Sequence, residues 1–147
     1  MRPILVVEDN DHDLELLLLA MEMVRLDNPV LCFRDGQEAL DYLLKQGMYA
    51  GHPELDPEFM LLDLKMPRFN GFDVLEKIRA SAALRRMPVI ALTSSAQEQD
   101  LARAYDLGVS GYVVKPVEFS DLMKAIESIG GMWSRRNEIP PSFRLDG

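Results

Sequence analysis

The stretch FMLLDLKMPRFNG, residues 59–71, holds the pattern that decides the fold. Its first four residues are all apolar, as in a strand that is buried on both faces of a parallel sheet. The run stops at a carboxylate, Asp63, and the Pro67 and Gly71 that follow are typical of a loop. We therefore expect Asp63 to lie at the edge of a sheet, where a buried strand passes into a loop.

Length, composition and charge limit what the chain can be. Its 147 residues, 48% of them apolar, suit one domain with a substantial core and are too few for two ordinary domains. Sixteen basic and twenty-four acidic residues give a net charge of −8, which repels nucleic acid and anionic membranes at long range. The N-terminus MRPILVVEDND turns acidic too early for a secretory signal, and the apolar runs are too short to span a membrane. The expected location is the cytoplasm.

The single cysteine, Cys32, lies within the apolar run VLCF. A small buried hydrophobe is the favoured interpretation, ahead of a redox or metal-binding role. With one cysteine the chain has no internal disulfide.

Five short apolar runs alternate with segments of helical spacing. The runs are ILVV (4–7), VLCF (30–33), FMLL (59–62), VIAL (89–92) and YVV (112–114). We predict a first helix capped by Asp11, a second after Asp35 that ends near Gly47, a third after Gly71, a fourth from a capping box at Ser95-Ala96-Gln97-Glu98 to Gly108, and a fifth after Ser120. The alternation predicts an α/β fold, a doubly wound parallel sheet with helices on both faces.

Polar side chains follow four of the predicted strands. Glu8 and Asp9 follow the first, Asp63 the third, Thr93 the fourth and Lys115 the fifth. Because parallel strands point the same way, these residues should gather at one edge of the sheet, where open α/β sheets bind ligands. Each residue taken alone is better explained as a strand-end cap or a solvated loop charge.

The three carboxylates of this group need a cation. Two like charges about 4 Å apart repel by roughly 4 kcal/mol at an effective dielectric constant near 20, and Lys115 supplies one positive charge. A hard divalent ion fits the remainder, since oxygen ligands suit Mg²⁺ and no histidine or cysteine falls at the cluster to select zinc.

Four motifs resemble the receiver domain of two-component response regulators, of the kind found in chemotaxis regulators. They are VVEDN (6–10), LLDLKMPRFNG (61–71), ALTSS (91–95) and GYVVKP (111–116). The resemblance covers about residues 4–130 and implies a flavodoxin-like, five-stranded sheet of order 2-1-3-4-5. It implies a receiver domain at 1–130 and a C-terminal extension at 131–147, with no separate effector domain.

The resemblance also implies roles at the sheet edge. Asp63 would be the phosphoacceptor, and Glu8 and Asp9 would hold Mg²⁺ together with Asp63 and the backbone carbonyl of Lys65. Such a protein is a phosphoacceptor of a phosphorelay, limited to Mg²⁺-dependent self-phosphorylation and slow self-dephosphorylation, and not an enzyme with turnover.

Signalling residues follow from the same resemblance. Thr93 would bind the phosphoryl group with Lys115 paired to it, and Tyr112 would be the aromatic switch. In this family the Lys115-Pro116 peptide is usually cis. Output would pass through the face of the fourth helix, fifth strand and fifth helix.

Two segments resemble a narrower group, the single-domain regulators paired with bacterial and cyanobacterial phytochrome histidine kinases. They are the long loop GMYAGHPELDPE (47–58) and the tail GMWSRRNEIPPSFRLDG (131–147). Members are commonly dimers, so we expect a homodimer through the output face, aided by the apolar tail residues Met132, Trp133, Ile139 and Phe143. The alternatives are packing of this tail against its own fifth helix, and a generic regulator with a frayed end.

Three rival classes fit less well. A haloacid-dehalogenase-type hydrolase needs a second carboxylate two residues after its nucleophile, where this chain has Lys65. A nucleotide or flavin binder needs a glycine-rich turn after the first strand, where the sequence is EDNDHD (8–13). A DNA-binding regulator needs an effector domain after residue 130, where seventeen residues follow.

Overall fold

The chain alternates strands and helices as the sequence predicts. The computed structural model describes residues 2–51 and 56–136, and for 134–136 the backbone alone. The strands are β1 (Ile4–Val7), β2 (Val30–Phe33), β3 (Phe59–Leu62), β4 (Val89–Thr93) and β5 (Gly111–Val114). The helices are α1 (Asp11–Met23), α2 (Gly36–Leu44), α3 (Gly71–Ala80), α4 (Glu98–Asp106) and α5 (Phe119–Gly130), with a 3-10 turn at Gly47–Tyr49 and a π-helical segment at Gly131–Arg136.

The five strands form one parallel sheet in the order β2-β1-β3-β4-β5, which confirms the flavodoxin-like prediction. Val7 of β1 is level with Phe33 of β2 and Leu62 of β3. At the other side of the sheet Thr93 is level with Val114. The strands therefore deliver the residues that follow them to the same edge.

Helices cover both faces of the sheet. Successive strand residues point to opposite sides, so each strand contributes side chains to both layers. Leu5 and Val7 belong to the apolar layer under α2, α3 and α4, and Ile4 and Val6 to the layer under α1 and α5. Fully burying an aliphatic side chain is worth about 1.5–3 kcal/mol, so these two layers fix the strand ends that carry the polar residues. Within the described ranges, no helix is long and apolar enough to cross a membrane.

Helix starts differ from prediction in detail. Asn10, not Asp11, caps α1, since the Asn10 side chain accepts a hydrogen bond from the backbone N–H of Asp13 at 2.9 Å. Asp35 caps α2 as predicted, although that helix ends at Leu44, before the 3-10 turn. The fifth helix begins one residue before Ser120.

The predicted capping box of the fourth helix is wrong. The helix begins at Glu98, and its cap residue Gln97 makes no side-chain capping bond. The Ser95 hydroxyl donates instead to Oδ2 of Asp100 at 2.5 Å. The Ser95 hydroxyl also accepts from the backbone N–H of Gln97 at 3.3 Å, and not from the N–H of Glu98 as the capping box requires.

The prediction of a buried Cys32 is also wrong, because its side chain is exposed. Strand β2 lies at the edge of the sheet, and of its four residues only Phe33 is buried. A run of apolar letters does not distinguish an edge strand from a central one.

Arg79 ties the end of α3 to two neighbouring segments. Its guanidinium donates to the backbone carbonyls of Arg85 at 2.8 Å, Met87 at 2.7 Å and Gly108 at 2.7 Å. Burial lowers the pKa of Arg79 from its ordinary value. Two of the acceptors precede β4 and the third precedes β5, so Arg79 links α3 to the segments that lead into both strands.

The start of the C-terminal extension continues directly from α5. Trp133 is half-buried and packs against the apolar layer of α1 and α5, whereas Met132 is 54% exposed. The alternative of intramolecular packing therefore holds for Trp133. Ile139 and Phe143, and residues 52–55 of the long loop, lie outside the described residues.

Candidate functional site

Asp63 lies where β3 passes into its loop, as its sequence context predicts. Its backbone N–H donates to the carbonyl of Val7 at 3.0 Å, which extends the β1–β3 ladder by one residue, and its exposed fraction is 5%. The loop returns so closely that a Cβ on Gly71 would lie 2.2 Å from the carbonyl oxygen of Asp63. A glycine is therefore required at 71, and α3 begins there with Asn70 as its cap.

Three carboxylates meet at this edge of the sheet. Oxygen atoms of Glu8, Asp9 and Asp63 all lie within 4.8 Å of one another. Glu8 is 3% exposed and Asp9 is half-buried. The donors of this cluster are all carboxylate oxygens, which are the ligands that a hard divalent cation prefers.

Lys115 supplies the positive charge nearest the cluster. Its ammonium forms an ion pair with Glu8, lies 2.9 Å from Oδ2 of Asp13, and lies 3.5 Å from Oδ2 of Asp63. Burial by itself lowers the pKa of Lys115, but its bonds to Glu8 and Asp13 and the charge of Asp63 outweigh burial and raise it above the ordinary value. Lys115 is therefore a charged ammonium.

One ammonium does not neutralise the acids around it. Burial and the neighbouring Asp63 raise the pKa of Glu8 to about 7, although Lys115 opposes the rise. Burial and the crowding of negative charge therefore carry a free-energy cost at this cluster. A divalent cation among Glu8, Asp9 and Asp63 would remove that cost, so the residues present fit the metal that the sequence predicts.

The Lys115-Pro116 peptide is trans, and the described residues contain no cis peptide bond. The expectation of a cis bond is therefore wrong for this structure. The backbone N–H of Lys115 donates to the carbonyl of Thr93 at 2.7 Å, which continues the β4–β5 pairing. From this position the Lys115 side chain reaches the acids with a trans bond.

Thr93 and Tyr112 lie on either side of the loop between β4 and α4. Thr93 is fully buried at the end of β4, and its hydroxyl oxygen accepts from the backbone N–H of Ser95 at 3.4 Å. The Tyr112 hydroxyl donates to the carbonyl of Ser95 at 2.9 Å. Thr93 and Tyr112 therefore both hydrogen-bond to the backbone of Ser95.

Asp100 and Asp13 belong to the site and were missed by sequence reasoning. Asp100 accepts from Ser95 and pairs with Lys65 at 2.9 Å, and these two partners lower the pKa of Asp100. Asp13 pairs with Lys115. The motif EDNDHD held a signal for Asp13, because an acid in the first turn of a helix that follows strand 1 stands beside the strand ends.

A cavity of about 260 Å³ opens beside Asp9. Arg34, Asp35, Met66 and Arg68 are among its lining residues. Of the three clustered carboxylates, Asp9 is the one that lines this cavity.

A family profile described as the response regulator receiver domain matches residues 4–127. The probable methanogenesis regulatory protein FilR2 of Methanothrix harundinacea is 39% identical over 137 residues, which cover 93% of this chain and 86% of FilR2. The response regulator Rcp1 of Synechocystis sp. is 34% identical over 137 residues, which cover 93% of this chain and 92% of Rcp1.

Solved structures agree in fold. The Mn²⁺-bound form of Rcp1 has a TM-score of 0.86 at 34% identity and covers 95% of this chain and 99% of its own. The phosphorylated cyanobacterial phytochrome response regulator RcpA also has a TM-score of 0.86 at 34% identity, with coverage of 95% and 98%. The bacteriophytochrome response regulator AtBRR is 53% identical with a TM-score of 0.76, and coverage is 94% and 99%.

Proposed function

This chain belongs to the response regulator receiver family, and we propose that it is a single-domain regulator that accepts a phosphoryl group from a histidine kinase on Asp63. The observation that carries the proposal is the position of Asp63, a buried carboxylate between the Lys115 ammonium and two further acids. The phosphorylated state of the similar RcpA supports it.

The chemistry requires little beyond positioning and charge. An oxygen of Asp63 attacks the phosphorus of a phosphohistidine, and the imidazole leaves as the new oxygen–phosphorus bond forms. Lys115 offsets negative charge on the transferring oxygens, and Thr93 donates to the bound phosphoryl group. Because Asp63 attacks as a carboxylate and not as a hydroxyl group, the step needs no general base.

The cation in this proposal is Mg²⁺, held by Glu8, Asp9, Asp63 and the backbone carbonyl of Lys65. When bound, it supplies positive charge to the transferring oxygens. The three-carboxylate cluster supports this assignment, as does the Mn²⁺-bound form of Rcp1. The backbone N–H of Lys65 donates to Oδ1 of Asp63 at 3.2 Å and orients that carboxylate.

Tyr112 is proposed as the switch. A phosphoryl group that draws the Thr93 hydroxyl toward Asp63 disturbs the Thr93–Ser95 hydrogen bond, and Ser95 is the residue to which Tyr112 donates. The change then reaches the face made by α4, β5 and α5.

Phosphotransfer tests the proposal directly. Asp63→Asn should abolish the acid-labile label received from a phosphorylated kinase and leave the fold intact, because the side chain keeps its size and loses its nucleophilic charge. Asp106→Asn, a change at an exposed carboxylate on the last residue of α4, is the matched control and should be labelled like the wild type. Equal labelling of Asp63→Asn and wild type would contradict the site.

The proposed kinase is of the phytochrome type. RcpA is a cyanobacterial phytochrome response regulator and AtBRR a bacteriophytochrome response regulator, whereas FilR2 is a probable methanogenesis regulatory protein. The competing hypothesis is therefore a regulator of another kinase class. Transfer rates from a phytochrome-type kinase and from a chemotaxis-type kinase, measured side by side, decide between them. A faster transfer from the chemotaxis-type kinase would contradict the phytochrome assignment.

We also propose a homodimer through the α4–β5–α5 face. Four apolar side chains on or beside that face are 38% to 98% exposed: Leu101, Tyr105, Val114 and Val117. Since Trp133 packs within its own chain, the proposed contact rests on these four residues. In sedimentation velocity, Tyr105→Glu should shift the chain toward monomer, and Met48→Glu, at an exposed site after α2, should not. A wild type that stays monomeric at tens of micromolar would refute the dimer.

A further inference from the structure

The ammonium of Lys115 has a partner outside the carboxylate cluster, Asp13. Oδ2 of Asp13 lies 2.9 Å from Nζ of Lys115, closer than Oδ2 of Asp63 at 3.5 Å. Asp13 is not one of the three carboxylates whose oxygens approach closely enough to share a cation. It therefore contacts the lysine without belonging to the candidate metal site.

The packing of α1 builds this contact. Asn10 caps the helix by accepting from the backbone N–H of Asp13, which leaves the Asp13 carboxylate to bind Lys115. Helix α1 packs against α5, and Leu17 and Leu122 line the same 50 Å³ pocket as Asp13 and Lys115. The first turn of α1 is thus held opposite the end of β5.

All of the hydrogen-bonding capacity of Lys115 is in use. An ammonium has three N–H donors, and Lys115 contacts three acids, Glu8, Asp13 and Asp63. A phosphoryl group on Asp63 adds oxygen acceptors that compete for the same donors. A cation would share the charge of Glu8 and Asp63 but not that of Asp13, so the attraction of Asp13 for Lys115 persists.

On the basis of the phosphoacceptor role proposed above, we infer that Asp13 is a positioning residue that competes with the phosphoryl group for Lys115 and thereby favours the unphosphorylated state. Repulsion between the Asp13 carboxylate and a phosphoryl group acts in the same direction. Neutralising Asp13 should therefore strengthen phosphoryl binding and slow phosphoryl loss. Because the Asp13 side chain is 40% exposed, we expect an effect of about two- to fivefold, the size of a partly solvated ion pair.

The test compares Asp13→Asn with Asp11→Asn. Asp11 lies in the same helical turn and loses the same charge, but it pairs with Arg34 at 2.8 Å and is 72% exposed. Beryllofluoride affinity with Mg²⁺ is measured by calorimetry, and the half-life of the acyl phosphate is measured after labelling with acetyl phosphate. A small donor avoids any effect of α1 on kinase docking.

Asp13→Asn should bind beryllofluoride about two- to fivefold more tightly, with a longer acyl-phosphate half-life, and Asp11→Asn should match the wild type. Unchanged or weaker binding by Asp13→Asn, or an equal gain in Asp11→Asn, would overturn the inference.

Asp13→Glu keeps the charge and should restore wild-type affinity. If Asp13→Asn does not fold, Asp13→Ser removes the same charge. A wild type that takes no label at Asp63 would overturn the proposed function and this inference together, whereas a labelled wild type matched by Asp13→Asn would overturn the inference alone.

Discussion

Lys115 and Lys65 both lie beside Asp63 with their ammonium groups in ion pairs, but their surroundings differ. The Lys115 side chain is 17% exposed and touches three carboxylates. The Lys65 side chain is 48% exposed and pairs with Asp100 alone among the described carboxylates. Water screens the second pair far more than the first.

The difference assigns the two lysines to different tasks. A buried ammonium interacts strongly with any charge that develops beside it, which suits Lys115 to the phosphoryl group. An exposed pair contributes little energy but ties two segments together, and Asp100 connects Lys65 to Ser95 and so to the Tyr112 hydroxyl. In the proposed phosphotransfer the first lysine would serve the chemistry, whereas the second connects the site to α4.

Replacing each lysine by methionine tests whether the two ion pairs differ in their contribution to stability. Lys115→Met leaves buried acids without their cation and should lower the free energy of unfolding in metal-free buffer by about 2–4 kcal/mol, whereas breaking the exposed pair with Lys65→Met should cost about 0–1 kcal/mol. Denaturant titration measures both values. Added Mg²⁺ should recover part of the Lys115→Met loss. Equal costs for the two variants would remove the distinction.

Two alanine variants compare how Glu8 and Asp9 contribute to Mg²⁺ binding. Glu8 pairs with Lys115, whereas Asp9 belongs to the carboxylate cluster and has no ion pair with that lysine in the described part of the chain. Asp9→Ala should therefore weaken Mg²⁺ binding more than Glu8→Ala, by at least about tenfold, since loss of even an outer partner of a metal ligand costs about that much. Titration of Mg²⁺ against Trp133 fluorescence is the measurement, and identical affinity in wild type and both variants would count against the metal site.

Asparagine at 63 and at 100 should act with opposite signs. Asp63→Asn removes one of the repelling charges around Lys115 and should raise metal-free stability by about 1 kcal/mol. The measurement is chemical unfolding at neutral pH with a chelator present. A loss of more than that amount would mean that the Lys115 contact outweighs the repulsion.

Asp100→Asn should lower stability by up to about 1 kcal/mol, because it removes the charge that Ser95 and Lys65 stabilise. Since these partners lower the pKa of Asp100 below 3.8, the stabilisation is present above that value and is lost as pH falls through the lowered pKa. Unfolding of wild type and variant should therefore converge in acid. A gap that persists at the lowest pH would assign the effect to packing.

The fold and the centre of the site could be predicted because they depend on strand ends. A strand buried on both faces appears in the sequence as a continuous apolar run. The polar residue at the end of that run, such as Asp63 or Thr93, must lie at the shared edge of a parallel sheet. Family resemblance then supplied roles for these residues.

The remaining features depend on tertiary packing that no local pattern encodes. Ser95 and Glu98 satisfy a capping-box pattern, yet the Ser95 hydroxyl donates to Asp100, which pairs with Lys65 of a distant loop, and accepts from Gln97 instead of Glu98. Lys65 and Asp100 are thirty-five positions apart and meet because α4 lies beside the loop after β3. Cys32 is exposed because its strand falls at the edge, which strand order decides and composition does not.

The hydrogen bonds of Arg79 are of a kind that methods based on correlated substitutions detect poorly. All three of its acceptors are backbone carbonyls, of Arg85, Met87 and Gly108. A substitution at Arg85 or Met87 leaves the carbonyl in place, so neither of these positions need change while Arg79 is kept. Gly108 is different, because it has a φ of +84° and a Cβ there would lie 3.0 Å from Nε of Arg79. Arg79 should therefore show no covariation with positions 85 and 87, and pairwise sequence statistics would miss its contacts with the segment before β4.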